Sequence, residues 1–500
     1  MNKYLRPIIA LVIILLSFLV SFGLWNTPKV LPADSDGFSA VRVKNGLITS
    51  DSLLFLYGKR LSDLGGVPLY NDSTGEGASG CAFDFPVNDS SIATTRLLLV
   101  SRGDGYGASV ELEALLNALK FRDAWKQGVR VLMLTESNGL DDSIYNSVYE
   151  NVGLAIYLDA KSPSGSAMLY RTSGGINIMK LYSKASYPRT YTVFNSFEKN
   201  IPVDSGFEAV KGKVPSMLFT DAGSLKGQSC EVPENTIQQY GEQLIPMIKE
   251  YLTSSVYSDP AFLSSSDVSA SFTMPFVGLV SLSRGQNYLF NSLLLLLFCI
   301  SFCFSIIRGR LKPARAILKS AAILIWSVAI FAICLLLRRL EVASEGYALV
   351  IALLSVIFVI TLVVYLWLRH KCALKATRNS LRSSASSNST AHYAYSVLYG
   401  TLIVAVVVAT VSIFTLKDDF FIAVPLFFTL AGMILWRITT LREFLLVSVA
   451  GILIYSIPFL YTCIIVSPVG QLPGTVTTAF YNLLLLIVLT DLYVRRDKAI

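Results

Sequence analysis

Histidine is almost missing from this chain: its 500 residues hold two, His370 and His392. Neither lies between residues 26 and 286, so that segment has no imidazole to serve as a base or a metal ligand. A serine or cysteine nucleophile paired with histidine is therefore excluded there. Charge is also scarce, at 15% against 53% hydrophobic residues, with a mean hydropathy of +0.56. That balance is too apolar for a soluble protein of this length. The formal charge of +8 does not point to nucleic acid, because the basic residues sit between apolar runs instead of clustering on a polar face. Of seven cysteines only Cys81 and Cys230 fall in 26–286, where they could form one disulfide in an oxidising compartment. Cys299, Cys303, Cys334, Cys372 and Cys463 lie in or beside apolar runs, where a thiol behaves as a small apolar group. No solenoid-type repeat is present.

What the chain has in abundance is long apolar stretches. Runs able to cross a hydrocarbon core of about 30 Å fall near 5–25, 287–307, 317–337, 347–368, 395–415, 420–436, 444–466 and 475–494, which predicts eight transmembrane helices. The first is read as an uncleaved anchor, since no small-residue cleavage site follows it. With a cytoplasmic N-terminus, seventeen Lys and Arg fall in the inside segments and three, Arg338, Arg339 and Lys417, in the short outside loops. The bias places both termini in the cytoplasm and residues 26–286 on the periplasmic, lumenal or extracellular side. The boundaries expected are a cytoplasmic N-terminus and anchor (1–25), an outer domain (26–252), a Ser-rich linker (253–286) and a seven-helix membrane domain (287–494) with a short tail (495–500). The basic, Ser-rich cytoplasmic loop 369–394 is expected to be disordered, with weak attraction to anionic headgroups. Lys319, Glu443, Asp491 and Pro425 all fall near span ends and only Pro458 lies well inside a span, so the membrane half reads as an anchor or platform, with a transporter as the weaker reading.

The outer segment is long enough for one sizeable core. Apolar β-type runs (TTRLLLV, VRVLMLT, LAIYLDA, VPSMLFTDA) alternate with helical patterns (VELEALLNALKF, SIYNSVYENV, GGINIMKLYSKA, TIQQYGEQLIPMIKEYL). This order predicts an α/β domain with a mixed, largely parallel sheet. Leu112, Leu115, Leu116 and Leu119 recur at i, i+3, i+4 and i+7, a stripe expected to pack on the sheet. Ligands in such sheets bind beyond the carboxyl ends of the strands, where SRGDG (101–105), TESNG (135–139) and YLDA (157–160) supply polar groups.

The order and spacing of these three segments resemble the di-zinc aminopeptidase type of metallopeptidase, peptidase family 28, in its membrane-bound vacuolar and endoplasmic-reticulum branch with bacterial relatives. DGFSAVRV (36–43), KSPSGSAMLYRTSGGINIMKLYSKA (161–185) and CEVPENTIQQYGEQL (230–244) extend the resemblance over residues 36 to 252. In that family the first turn reads His-x-Asp with a Gly-Ala-x-Asp stretch, the second Asp-Gly-Glu-Glu-x-Gly-Leu and the third Asn-Leu-Asp, with a late His before the final helix. The resemblance therefore implies a zinc aminopeptidase fold, and it allows the chemistry to be checked position by position.

The check is negative at most positions. Arg102, a permanent cation that cannot ligate, matches the first metal-binding His. Asp104 matches the acid that orients that His. Gly107, Ala108 and Ser109 run directly into Val110, without the bridging Asp. Glu136 is the single acid where the family has a pair, and Asp159 is the one ligand position retained. No His precedes Pro233. An oxygen-only set of this kind suits calcium or magnesium better than zinc. Ser101 is expected to be a strand-end hydroxyl bonded to its turn. The expectation is a pseudopeptidase whose cleft, lined by Arg102, Asp104, Glu136 and Asp159, binds a peptide or protein, or which scaffolds an envelope complex. The cofactor expected is none, with zinc if the alternative of an active aminopeptidase with a rewired site holds. The partners expected are a peptide or protein ligand, a membrane protein complex and the lipid bilayer, and not nucleic acid.

Overall fold

In the computed structural model, the residues described are Val12, Leu16, 53–72, 80–88, 95–102, 106–134, 142–160, 167–173, 175–196, 207, 214–221, 234–259, 261–264, 270–274, 277–342, 387–416, 418–439, 443–465 and 471–496. The chain divides into two compact units, one of residues 25–285 with 465–469, the other of 1–24, 286–464 and 470–500.

In the first unit the elements run α1 (Leu53–Asp63), β1 (Val67–Asp72), β2 (Gly80–Phe85), β3 (Arg96–Arg102), α2 (Gly107–Leu119), β4 (Gly128–Leu134), α3 (Asp142–Tyr149), β5 (Val152–Asp159), β6 (Ala167–Thr172), α4 (Ile176–Tyr182), β7 (Ser216–Asp221), α5 (Glu234–Thr253), β8 (Ala270–Met274) and β9 (Gly278–Leu282). The sheet order is β1-β2-β4-β3-β5-β7-β6. Its four central strands are parallel, with antiparallel β1 and β2 at one edge and β6 at the other. The four central strands and α2 to α5 coincide with the alternating runs read from the sequence. Those strands are largely apolar on both faces, with their polar residues mostly toward the ends.

Period-two alternation sends Phe83, Leu97, Leu99, Val131, Ile156, Leu158 and Phe219 to one face, where α1, α2, α4 and α5 close the main core. Leu115 is fully buried, Leu112 nearly so, and Leu116 and Leu119 pack at the margin. On the opposite face Asp84 accepts from Arg96 Nε at 3.0 Å and Arg130 Nε at 3.2 Å. Arg130 also donates to the Val148 carbonyl at 2.6 Å and so ties the end of α3 to β4.

Residues 253–286, expected to be a linker, are instead largely folded. Tyr257 and Leu263 join the core, and β8 and β9 form a hairpin. Thr192 N–H donates to the Ser271 carbonyl at 2.9 Å and Thr273 N–H to that of Thr190 at 3.0 Å, which fixes the hairpin to the domain. The Ser-rich composition suggested a tether, but Ser271 Oγ donates to Ser281 Oγ and Thr273 Oγ1 to the Pro188 carbonyl, bonds within the fold. Cys81 is a free, fully buried thiol in β2, and Cys230 lies outside the described residues.

The second unit contains α6 (Arg284–Ile307), α7 (Pro313–Val342), α8 (Ser387–Leu416), α9 (Phe420–Thr439), α10 (Glu443–Ile465) and α11 (Gln471–Arg496). Among the described residues four helices are long and apolar enough to cross a membrane: Arg284–Ile307, Pro313–Ile333, His392–Leu416 and Phe420–Thr439. The runs expected at 444–466 and 475–494 are helical, with shorter apolar stretches at Ser448–Leu460 and Val476–Leu492. The expected spans 5–25, apart from Val12 and Leu16, and 347–368 lie outside the described residues.

Two expectations change in this unit. The end of loop 369–394 is helical from Ser387, where Ser, Asn and Thr suit a helix start. His392 falls within that helix, its Nδ1 2.9 Å from the Arg310 carbonyl. Asp491 does not stand apart at a span end: it is 1% exposed and pairs with Arg437 of α9 at 3.9 Å. Arg437 Nη1 donates to Tyr399 Oη at 2.5 Å and Ser301 Oγ at 2.7 Å, so α6, α8, α9 and α11 meet at one polar node. A charge can occupy a helix bundle interior when an opposite charge and hydroxyls replace its water.

Candidate functional site

The parallel strands end at Arg102, Leu134, Asp159 and Asp221. Asp159 of β5 pairs in register with Thr220 of β7, so Asp221 stands one residue further along the neighbouring strand. Thr220 Oγ1 donates to the Asp159 carbonyl at 3.0 Å and ties the two ends together.

The start of α2 is drawn close against these ends. Tyr106 N–H donates to the Ala160 carbonyl at 2.8 Å. At Gly107 an added Cβ would lie 2.6 Å from the Leu158 carbonyl oxygen, so glycine is what permits the approach. This contact aims the Tyr106 phenol at the strand-end acids, and it donates to Asp221 Oδ2 at 2.8 Å. From α5, Tyr240 donates to the same oxygen at 3.4 Å. The two rings meet edge to face, centroids 6.3 Å apart. Tyr106, Tyr240 and Asp221 are buried and Asp159 is 9% exposed. Burial first, and then the negative charge of Asp221, raise both phenols far above the ordinary tyrosine range, with Asp159 adding to the effect. Both therefore remain proton donors, and the site is a carboxylate held by two neutral phenols beside a second carboxylate.

A second polar cluster lies beneath the first turn. Glu111 of α2 is completely buried and accepts hydrogen bonds from Tyr57 Oη at 2.6 Å and from Ser101 Oγ. Burial pushes the Glu111 carboxyl up to about 8, against the opposing effect of the bonds from Ser101, Tyr57 and the Leu132 backbone. Cys81 lies in the same cluster, and burial followed by the Glu111 charge pushes its thiol up to about 12. Ser101 is thus bonded to the following helix, while residues 103–105 of the turn it was expected to bond lie outside the described residues. The α2 stripe was read from its leucines alone, yet Glu111 and Glu113 are buried too.

Of the residues expected to line the cleft, Asp159 lies at the strand end as anticipated. Arg102 closes β3, its backbone in register with Leu134, while its side chain lies outside the described residues. Asp104 and Glu136 also lie outside them. Asp221, Tyr106, Tyr240 and Glu111 were not anticipated. One signal could have found Asp221, since FTDA (219–222) repeats the pattern of YLDA (157–160) at the end of the next parallel strand.

Neither a family model nor a curated protein matches the chain. Among solved structures it is similar to an aminopeptidase from Aneurinibacillus sp. strain AM-1, at 10% identity over 35% of this chain and 48% of that one, with a TM-score of 0.26. The Legionella protein LapA overlaps it at 9% identity over 51% of this chain and 78% of that one, TM-score 0.28. A zinc aminopeptidase from Bacillus subtilis does so at 9% identity over 37% and 52%, TM-score 0.22. The chain thus spans about half the length of the first of these aminopeptidases. These likenesses are partial, and the functional reading rests on the chain's own residues.

Among the described residues no group of three or more His, Cys, Asp and Glu could hold a metal ion. The segment 26–286 contains no histidine, and the Asp221 oxygen is already taken by two phenolic donors.

Proposed function

We propose that residues 26–286 form an extracytoplasmic, peptidase-like domain that binds a peptide or protein at the carboxyl ends of its parallel strands without hydrolysing it. The remaining helices carry it in the membrane, with both termini cytoplasmic. The observation that carries this reading is the engagement of Asp221 by Tyr106 and Tyr240 in a segment without histidine. Zinc catalysis of amide hydrolysis needs a metal-bound water and a base to deprotonate it. Here the strand-end acid is satisfied by protein donors that keep their protons. Arg102, Asp104, Glu136 and Asp159 are the residues we assign to the rim of the cleft, where Arg102 would meet a ligand carboxylate.

The same layout serves a scaffold that holds an envelope complex together. The competing reading is an active metallo-aminopeptidase with a rewired site, for which the retained Asp159 speaks. The full chain, purified in neutral detergent, separates the two by zinc analysis together with an aminoacyl-p-nitroanilide assay. The expected result is substoichiometric zinc and no turnover. Stoichiometric zinc with chelator-sensitive turnover would overturn the non-catalytic reading.

A further inference from the structure

We infer that the turn joining α6 to α7 is a docking site for an anionic phospholipid, whose headgroup lies against Arg308, Lys312 and Arg315 and whose acyl chains lie along α6 and α7. This rests on the reading of the second unit as membrane-spanning. The segment from Arg308 to Lys319 carries five basic residues and no acidic one. Arg308, Lys312 and Arg315 are exposed, whereas Arg310 is turned inward to Tyr395 Oη at 3.4 Å and Lys319 lies over the Tyr393 ring at 4.7 Å.

The cations are held by a rigid turn. Gly309 has a φ of +63°, the left-handed conformation of a helix-terminating glycine. Its N–H donates to the Ile306 carbonyl at 2.7 Å and that of Arg310 to the Ser305 carbonyl at 3.0 Å, the paired bonds of a Schellman cap. Leu311 is buried just beyond and pins the turn. The Arg308 guanidinium stacks 4.0 Å from the Phe304 ring centre, which places it beside the helix in place of free rotation in water.

The apolar half of the site lies on the two helices that the turn joins. Ile307 is 83% exposed and Leu318 72%, and Ile317, Leu324, Ile325 and Val328 extend the same exposed surface along α7. Tyr393 and Tyr395 at the start of α8 lie at the same level, as aromatic rings do at a membrane boundary. Three exposed basic side chains beside exposed apolar residues complement a negatively charged headgroup joined to hydrocarbon. A zwitterionic headgroup offers no net charge to them. At the usual strength of a basic side chain near an anionic surface, three such residues favour an anionic over a neutral lipid by roughly 100-fold.

The test uses the full chain in dodecyl maltoside with phosphatidylglycerol, phosphatidylcholine of the same acyl chains, or inorganic phosphate added. Lipid retained per protein by native mass spectrometry and the thermal midpoint are the readouts. Phosphatidylglycerol should be retained and raise the midpoint, and the R308Q/K312Q/R315Q variant should lose both effects. A K371Q/K375Q/R378Q variant, of equal charge loss in the loop 369–394, should keep them. Equal responses to phosphatidylcholine, an equal shift with phosphate alone, or equal loss in both triple variants would each overturn the site. A chain released from membranes by carbonate would instead overturn the membrane reading beneath it.

Discussion

Replacing Glu111 by glutamine should make the first unit less sensitive to alkaline pH. The carboxyl is raised from 4.5 to about 8, chiefly by burial. A folded-state value above the unfolded one means the folded protein holds the proton more tightly. The stability from this group is therefore fully present below about pH 4.5 and is lost as the pH rises through 8. At about 1.4 kcal/mol per pH unit, the whole effect is on the order of 5 kcal/mol, of which about 3–4 kcal/mol falls between pH 5 and pH 8. Glutamine keeps the oxygen that receives Tyr57 and Ser101 and removes the titration. Unfolding of this unit within the full chain can be followed at Cys81, a buried thiol that a maleimide reaches only when the sheet opens, with labelling read from its own peptide by mass spectrometry. The stability gap between wild type and Glu111→Gln should shift toward the variant across pH 5 to 8. Parallel profiles for the two proteins would refute the buried, protonated Glu111.

The other predictions concern single contacts. Gly107→Ala must displace α2 from the Leu158 carbonyl, for a loss of about 1–3 kcal/mol in the same Cys81 labelling assay. Tyr106→Phe removes the 2.8 Å bond to Asp221 and should cost about 1.5–3 kcal/mol, since the acceptor is charged. In the second unit Arg437→Met alone leaves Asp491 buried without its ion pair, a loss of about 3–5 kcal/mol in thermal unfolding of the detergent-solubilised chain. The double variant Arg437→Met with Asp491→Leu should recover most of that loss, and a double variant as unstable as the single one would show that the pair is not the source.

The parts of the fold that the sequence discloses are those whose signal is local. The four central strands are mostly apolar runs of six to eight residues, and α2 and α5 show a helical period over more than three turns. The elements that escaped it are short or depend on distant partners. β1 at the sheet edge and β2 beside it are strands of six residues with polar positions among the apolar ones. The β8–β9 hairpin sits in a Ser-rich stretch whose order comes from Thr190 and Thr192, about eighty residues earlier. Arg437 reads as a boundary residue until Asp491 and Tyr399, from two other helices, are brought to it.

The candidate site follows the same rule, and its chemistry explains what the missing histidines leave behind. Asp159 is recognisable from its position at the end of an apolar run. Tyr106 and Tyr240 are not, because they lie 115 and 19 positions from Asp221 in the sequence and meet it only through the fold. Two acids on adjacent strand ends repel each other and lose hydration when buried, so the fold needs something to offset both costs. A cation would serve, and so would neutral donors that cannot themselves ionise at that place. Tyr106 and Tyr240 are such donors, since burial first and then the charge of Asp221 keep their protons on. Asp221 is therefore buried at the strand ends against donors that the chain itself supplies from α2 and α5.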